Sequence, residues 1–346
     1  MAVGSTAPAT AASGPRIVEY RIPTPSANPN RITTGPDGNL WFTELGTFVA
    51  PGVPKIGRMT PNGHFRQFAI PAGHSRAFDI TTGPDGALWF TQTGEIGRIT
   101  VQGHITEYPV VGGGALKGIT SGPDHTLYFV ADGAIGRIST RTKAVRLFPA
   151  LAGTSPEEGL TIGPDGNIWF TAVNALCPGG SGTCSSHYAG AIERMTLNGV
   201  VNGYFATPTP YSVPSRIVVG PDGNLWFTEQ GNDPEQQSPG AIGRITPQGV
   251  ITEFNTPTPG SDPHGITVGS DGNLWFTEDK EQISDSQEVG ADNIGRITTS
   301  GEITEFPFRP LPENVAEGRA DGITTGPNGD IYFTDHGANA IGRVFV

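Results

Sequence analysis

Seven near-identical turns govern what this chain can become. Gly-Pro-Asp-Gly begins at Gly35, Gly83, Gly163 and Gly220, and variants begin at Gly122 (Gly-Pro-Asp-His), Gly269 (Gly-Ser-Asp-Gly) and Gly326 (Gly-Pro-Asn-Gly). Pro presets φ for the second residue of a turn, and Gly supplies positive φ at its end. Each turn follows a short β-rich run such as Ile32-Thr33-Thr34 and precedes an aromatic one such as Leu40-Trp41-Phe42-Thr43. Further on comes Ile-Gly-Arg, starting at Ile56, Ile96, Ile135, Ile242, Ile294 and Ile341, with Ile192-Glu193-Arg194 in the fourth unit. A second turn such as Thr246-Pro247-Gln248-Gly249 and an outer run such as Val250-Ile251-Thr252-Glu253-Phe254 complete the unit. The unit reads as four antiparallel strands, a to d.

Four-stranded units at a spacing of roughly 40–57 residues suit propeller blades. A ring of them buries sheet edges that a linear stack would leave open. The seventh unit stops after Ile341-Gly342-Arg343-Val344-Phe345-Val346, without a strand d. The missing strand reads at the other end, as Ile17-Val18-Glu19-Tyr20-Arg21-Ile22. The expected fold is all-β: a seven-bladed β-propeller of four-stranded antiparallel blades over residues 16–346, closed by the N-terminal strand pairing with the last blade. Residues 1–15 read as a flexible leader.

Gly (50) and Pro (31) make up nearly a quarter of the 346 residues. Here they are periodic turn residues rather than a mark of disorder. No apolar run is long enough to span a bilayer. The net charge of −12 disfavours nucleic acid and anionic membrane as partners and is compatible with a cationic ligand, a metal ion or solubility alone; the expected partner is a small molecule at the variable-loop face of a monomer. Cys177 and Cys184 flank a Gly/Ser-rich loop; a disulfide there would point to a secreted or periplasmic protein, and free thiols would leave a cytoplasmic one.

All five tryptophans (Trp41, Trp89, Trp169, Trp226 and Trp275) occupy one position of strand b, filled by Tyr128 and Tyr332 in the other two units. A residue type repeated in every blade is most simply inter-blade packing. The Arg of strand c and the Asp of the first turn read as its polar partners.

Tight turns a–b and c–d share one face of the ring, so the b–c and d–a loops, which vary in length, share the other, where function is expected. Two positions per blade are expected near the channel on that face. The first ring reads Asn30, Phe78, Lys117, Glu158, Ser215, His264 and Asp321; the second reads Glu44, Gln92, Ala131, Ala172, Glu229, Glu278 and Asp335. Glu229, Glu278, Asp335 and Glu44 would form an acidic arc around His264 and Asp321. Clustered carboxylates repel unless a cation, a proton or a donor offsets them, and Mg²⁺ or Ca²⁺ suits oxygen ligands. The alternative is a solvated acidic rim.

The run Pro263-His264-Gly265-Ile266-Thr267-Val268, then Gly272-Asn273-Leu274-Trp275-Phe276-Thr277-Glu278, with Ile294-Gly295-Arg296-Ile297-Thr298 and Glu302-Ile303-Thr304-Glu305-Phe306, resembles the virginiamycin B lyase (streptogramin lyase) family. The resemblance implies a Mg²⁺-assisted elimination that opens a cyclic depsipeptide, a His taking the proton α to a carbonyl. It implies His264 as base and Asp262 and Glu278, with Asp335, as metal ligands; Glu44, Glu229, Asp321, Ser215 and Asn30 would face the substrate. The family pattern has a second His in the adjacent blade, where this chain has Ser215 or Asp321, and a Tyr in the first blade, where it has Asn30. Counting blades from the N-terminus instead pairs His264 with that other His and sets the ligands at Arg319 and Asp335. A non-catalytic propeller binding a sugar, peptide or protein, and a metal-dependent lactonase, are the other readings.

Overall fold

The structure, a computed structural model, describes residues 14–46, 54–71, 75–175, 188–231, 240–258, 260–284, 287–289, 292–308 and 320–346. Cys177, Cys184 and Arg319 lie outside these, as does all but the end of the expected leader. The described residues form seven antiparallel sheets and no helix. Among them no helix is long and apolar enough to cross a membrane. The first strands of successive sheets contact one another in a closed cycle, blade 7 returning to blade 1. This is the β-propeller that the turns predict.

Blade 1 comprises Pro29–Thr34, Leu40–Glu44, Lys55–Met59 and Phe65–Ala69, and five others repeat that order. In blade 7, Ala320–Thr325, Ile331–Asp335 and Ala340–Val344 are joined by Ile17–Arg21, which pairs antiparallel with Ala340–Val344, Ile17 opposite Val344. Blade 6 departs from the four-strand unit. Its second strand runs on as Leu274–Ser284, and Gln287–Val289 pairs back onto it. Part of the b–c connection of this blade thereby satisfies its own backbone groups.

The tryptophans are buried and pack between blades. Trp41 stacks on Phe68 of its own blade at 5.4 Å and shares a core with Ile80, Leu88 and Phe90 of blade 2. Its Nε1 donates to Asp37 Oδ1 at 2.9 Å, and Arg58 lies 5.5 Å over its ring. The bond from indole to turn carboxylate recurs at Trp89, Trp169, Trp226 and Trp275. The Gly of Ile-Gly-Arg has a steric cause: a Cβ on Gly57 would lie 2.2 Å from the ring of Phe42.

Candidate functional site

In five blades the first strand carries a bulge where it nears the axis, with register shifts such as Pro263/Ile266 and Ala320/Ile323. A bulge re-aims the side chains it carries. Threonines of the second strand hold these segments across blade boundaries. In blade 6, Thr277 Oγ1 accepts from Gly265 N at 2.9 Å and donates to Asp321 O of blade 7 at 3.0 Å. Thr43, Thr91, Thr171, Thr228 and Thr334 make the equivalent bond to the following blade. Blade 3 has Val130 at this position.

The first ring and the residue after it meet on the axis as a chain of alternating charges. Asp79 of blade 2 pairs with Arg216 of blade 5 at 2.8 Å, and Arg216 reaches Glu158 of blade 4 at 3.5 Å. Glu158 is hydrogen-bonded to Arg31 of blade 1, which lies 3.6 Å from Asp321 of blade 7. Asp321 stands 3.8 Å from His264 Nδ1 of blade 6. Burial opposes ionisation of Glu158, but Arg31 and Arg216 outweigh it and hold this carboxyl down at about 2. Burial likewise works against the charge of Arg31, and Glu158, Asp321 and Asp79 more than offset it. A cavity of about 210 Å³ on the axis is lined by Arg31, Asp79 and Arg216 among first-strand residues.

His264 is 8% exposed. Gln230 Nε2 lies 2.8 Å from its Nδ1, and Asp262 Oδ2 lies 3.9 Å from its Nε2. A second cavity, of about 600 Å³, opens between blades 4, 5 and 6. Ser155, Glu157, Val173, Val213, Gln230, Gly231 and Asp262 line it.

The structure thus gathers His264, Asp262 and Asp321. Asn30 instead donates from Nδ2 to Phe78 O at 2.9 Å, and Ser215 is buried, its carbonyl accepting from Thr171. The acids ending the second strands do not form a mouth. Glu44, Glu229, Glu278 and Asp335 are each at most 2% exposed, and each is held by a donor of its own blade or of the linker before it. Ser212 Oγ donates to Glu229 at 2.8 Å and Ser261 Oγ to Glu278 at 2.9 Å; Gln67 Nε2 donates to Glu44 at 2.6 Å, and Ala338 N to Asp335 at 2.8 Å. Burial and the neighbouring Glu305 push Glu278 up to about 8.

Asp262, Glu278 and Asp335 therefore do not fit a shared divalent ion. Asp262 faces the cavity, whereas Glu278 lies under its linker against Glu305 and Asp335 caps its own loop. Among the described residues no three His, Cys, Asp or Glu side chains are grouped to hold one.

Sequence reasoning missed Arg31, Asp79 and Arg216. The signal was available: the residue after the first ring is Gly at 118, 159, 265 and 322 and charged in the other three blades.

Together the sheets and site define a seven-bladed propeller whose axis is crossed by ion pairs, with a histidine between two aspartates beside a cavity. The chain belongs to the virginiamycin B lyase family, whose model matches residues 4–285 and 176–346. It is similar to a solved structure described as a streptogramin B lyase, at 28% identity and a TM-score of 0.74 over 95% of this chain and 97% of that one. Two structures of virginiamycin B lyase from Staphylococcus aureus each align at 30% identity and a TM-score of 0.76, over 96% of this chain and 99% of theirs. One is selenomethionine-substituted; the other is a catalytically inactive histidine-to-alanine variant with quinupristin. No curated protein matches the chain.

Proposed function

We propose that the protein is a carbon–oxygen lyase of the streptogramin-lyase kind, acting on an ester or lactone in a cyclic depsipeptide-type ligand, with His264 as the proton acceptor. The observation that carries this reading is the placement of His264 between Asp262 and Asp321, where Asp262 also lines the 600 Å³ cavity. An imidazole changes charge near neutral pH and suits general-base work. It would take the proton α to a carbonyl while the carbon–oxygen bond β to that carbonyl breaks, leaving a double bond and a carboxylate. The flanking carboxylates favour the imidazolium that forms. A relative whose histidine-to-alanine variant is catalytically inactive supports a histidine in this role.

The test is incubation with quinupristin, with and without added Mg²⁺, followed by mass spectrometry. Elimination linearises the ring at unchanged mass, whereas hydrolysis adds one water and would identify a lactonase instead. His264→Ala is expected to lower turnover by about 10²–10⁴. No turnover by the unaltered protein sinks the proposal.

A second reading is a propeller that binds a sugar, peptide or protein without turning it over. It is favoured by the engagement of Glu278 and Asp335 inside their blades and of Arg31 and Arg216 with carboxylates. Calorimetric binding of quinupristin without turnover, equal in His264→Ala, is its signature.

A further inference from the structure

We propose that Glu229 and Glu253 of blade 5 share one proton at neutral pH, and that this acid pair fastens the linker between blades 4 and 5 beside the cavity between blades 4, 5 and 6. The inference does not depend on the lyase reading.

The two carboxyl groups stand at the strand positions that Glu44 and Gln67 occupy in blade 1, where the two side chains hydrogen-bond, and each is also held by the linker. Glu253 accepts from Thr209 N at 3.1 Å and from Thr209 Oγ1 at 2.6 Å. Glu229 accepts from Ser212 Oγ at 2.8 Å, and its other oxygen, Oε2, is buried without a donor. Two carboxylates cannot share such a contact; one of them must carry a proton, which then serves as the missing donor. Val213, next after Ser212, lines the cavity.

The chain supplies its own control. In blade 1 the equivalent positions are Glu44 and Gln67, and Gln67 Nε2 donates to Glu44 Oε1 at 2.6 Å while its Oε1 accepts from Thr24 Oγ1 at 2.5 Å. An amide there does permanently what a proton does in blade 5. The geometry recurs in blade 6, where Thr258 holds Glu305 and Ser261 holds Glu278.

Burial first, and then the Glu253 charge, push the Glu229 carboxyl well above the usual carboxylate range, with Ser212 opposing. The neighbours facing it are Glu253 from its own sheet and the uncharged Thr209 and Ser212 from the linker. Among the described residues no cation contributes. A folded state that holds a proton the unfolded chain has released loses stability as pH rises.

The experiment is urea unfolding from pH 5 to pH 9 of the unaltered protein and Glu253→Gln, which reproduces the blade 1 pair. Above about pH 7, where a buried Glu paired with an amide has released its proton as Glu44 does, the unfolding constant of the unaltered protein should rise relative to the variant by up to about tenfold per pH unit while the pair keeps its proton. Parallel curves would overturn the proposal. Infrared spectroscopy about one pH unit above the value of the amide-paired Glu44 gives an independent reading that needs only one folded variant. A protonated-carboxyl band should weaken in Glu253→Gln or in Glu229→Gln, and a band unchanged in either removes the shared proton.

Discussion

Thr228 Oγ1 of blade 5 donates to the backbone carbonyl of His264 in blade 6 at 2.7 Å and accepts from Arg216 N at 3.1 Å. One hydroxyl thus joins a blade boundary, the axial ion pairs and the histidine. Thr228→Val keeps the shape and leaves both partners unsatisfied in a buried setting. Val130 at the corresponding position of blade 3 shows that the isostere fits the fold. The expected loss is about 1–2 kcal/mol in urea unfolding, with Thr228→Ser recovering part of it. Unchanged stability would mean that backbone pairing alone positions His264.

Arg216 tests the axial chain. Its partner Asp79 lies across the channel in blade 2 and is largely buried, while Glu158 stands in the adjacent blade 4. Arg216→Met strands Asp79 and should destabilise by about 3–5 kcal/mol. Adding Asp79→Asn should restore part of that loss, because Asp79 also accepts from Ile80 N and Ile119 N and keeps one of those bonds as an amide. Strictly additive losses in the double-mutant cycle would show that the pair is not coupled.

How far this site could be read in advance follows from what repeats and what does not. Turn residues, tryptophans and the displaced strand at Ile17 are periodic, and periodicity carries blade number, strand order and the Trp41–Asp37 bond. Residues at the axis are the non-repeating ones, and their environment depends on bulge geometry that the repeat pattern does not encode. A shift of one residue at the bulge places Arg31 and Arg216 on the axis. The strand-b acids looked like a rim because their position resembled a channel edge. The linker residues Thr209, Ser212, Thr258 and Ser261, which bury Glu229 and Glu278 with their partners, come from a Thr-Pro-Thr-Pro-x-Ser run that precedes blades 5 and 6 but not blades 2 to 4, and the blade repeat gives no sign of which way its hydroxyls turn. His264 with Asp262 was legible because the Asp-Pro-His spacing is local.

Ring closure by the two chain ends has its own test. Ile17–Arg21 pairs along Ala340–Val344, and Asn339 adds bonds to Ala27 N and to the carbonyls of Ile22 and Thr24. Removing residues 1–23 exposes the edge of the last blade and its apolar face, so cooperative thermal unfolding should be lost and aggregation should appear. Removing only residues 1–13 is the control. An unchanged melting temperature for the longer deletion would refute closure by this strand.

Glu44 gives the ring a pH dependence that one variant can isolate. Burial raises its carboxyl to about 7, against the Gln67 hydrogen bond and the Lys55 charge, which lower it. Because the folded value lies above the unfolded one, the folded protein keeps a proton that the unfolded chain gives up. The associated stability is complete below about pH 4.3, the ordinary value for Glu, and drains away as pH rises towards 7. Glu44→Gln has no such proton and faces the same Gln67. Its stability relative to the unaltered protein should therefore climb between pH 5 and pH 7 and stay level above, by on the order of 3 kcal/mol at most. Chemical denaturation at several pH values measures this directly, and a gap that does not change with pH would place Glu44 as an ionised group throughout.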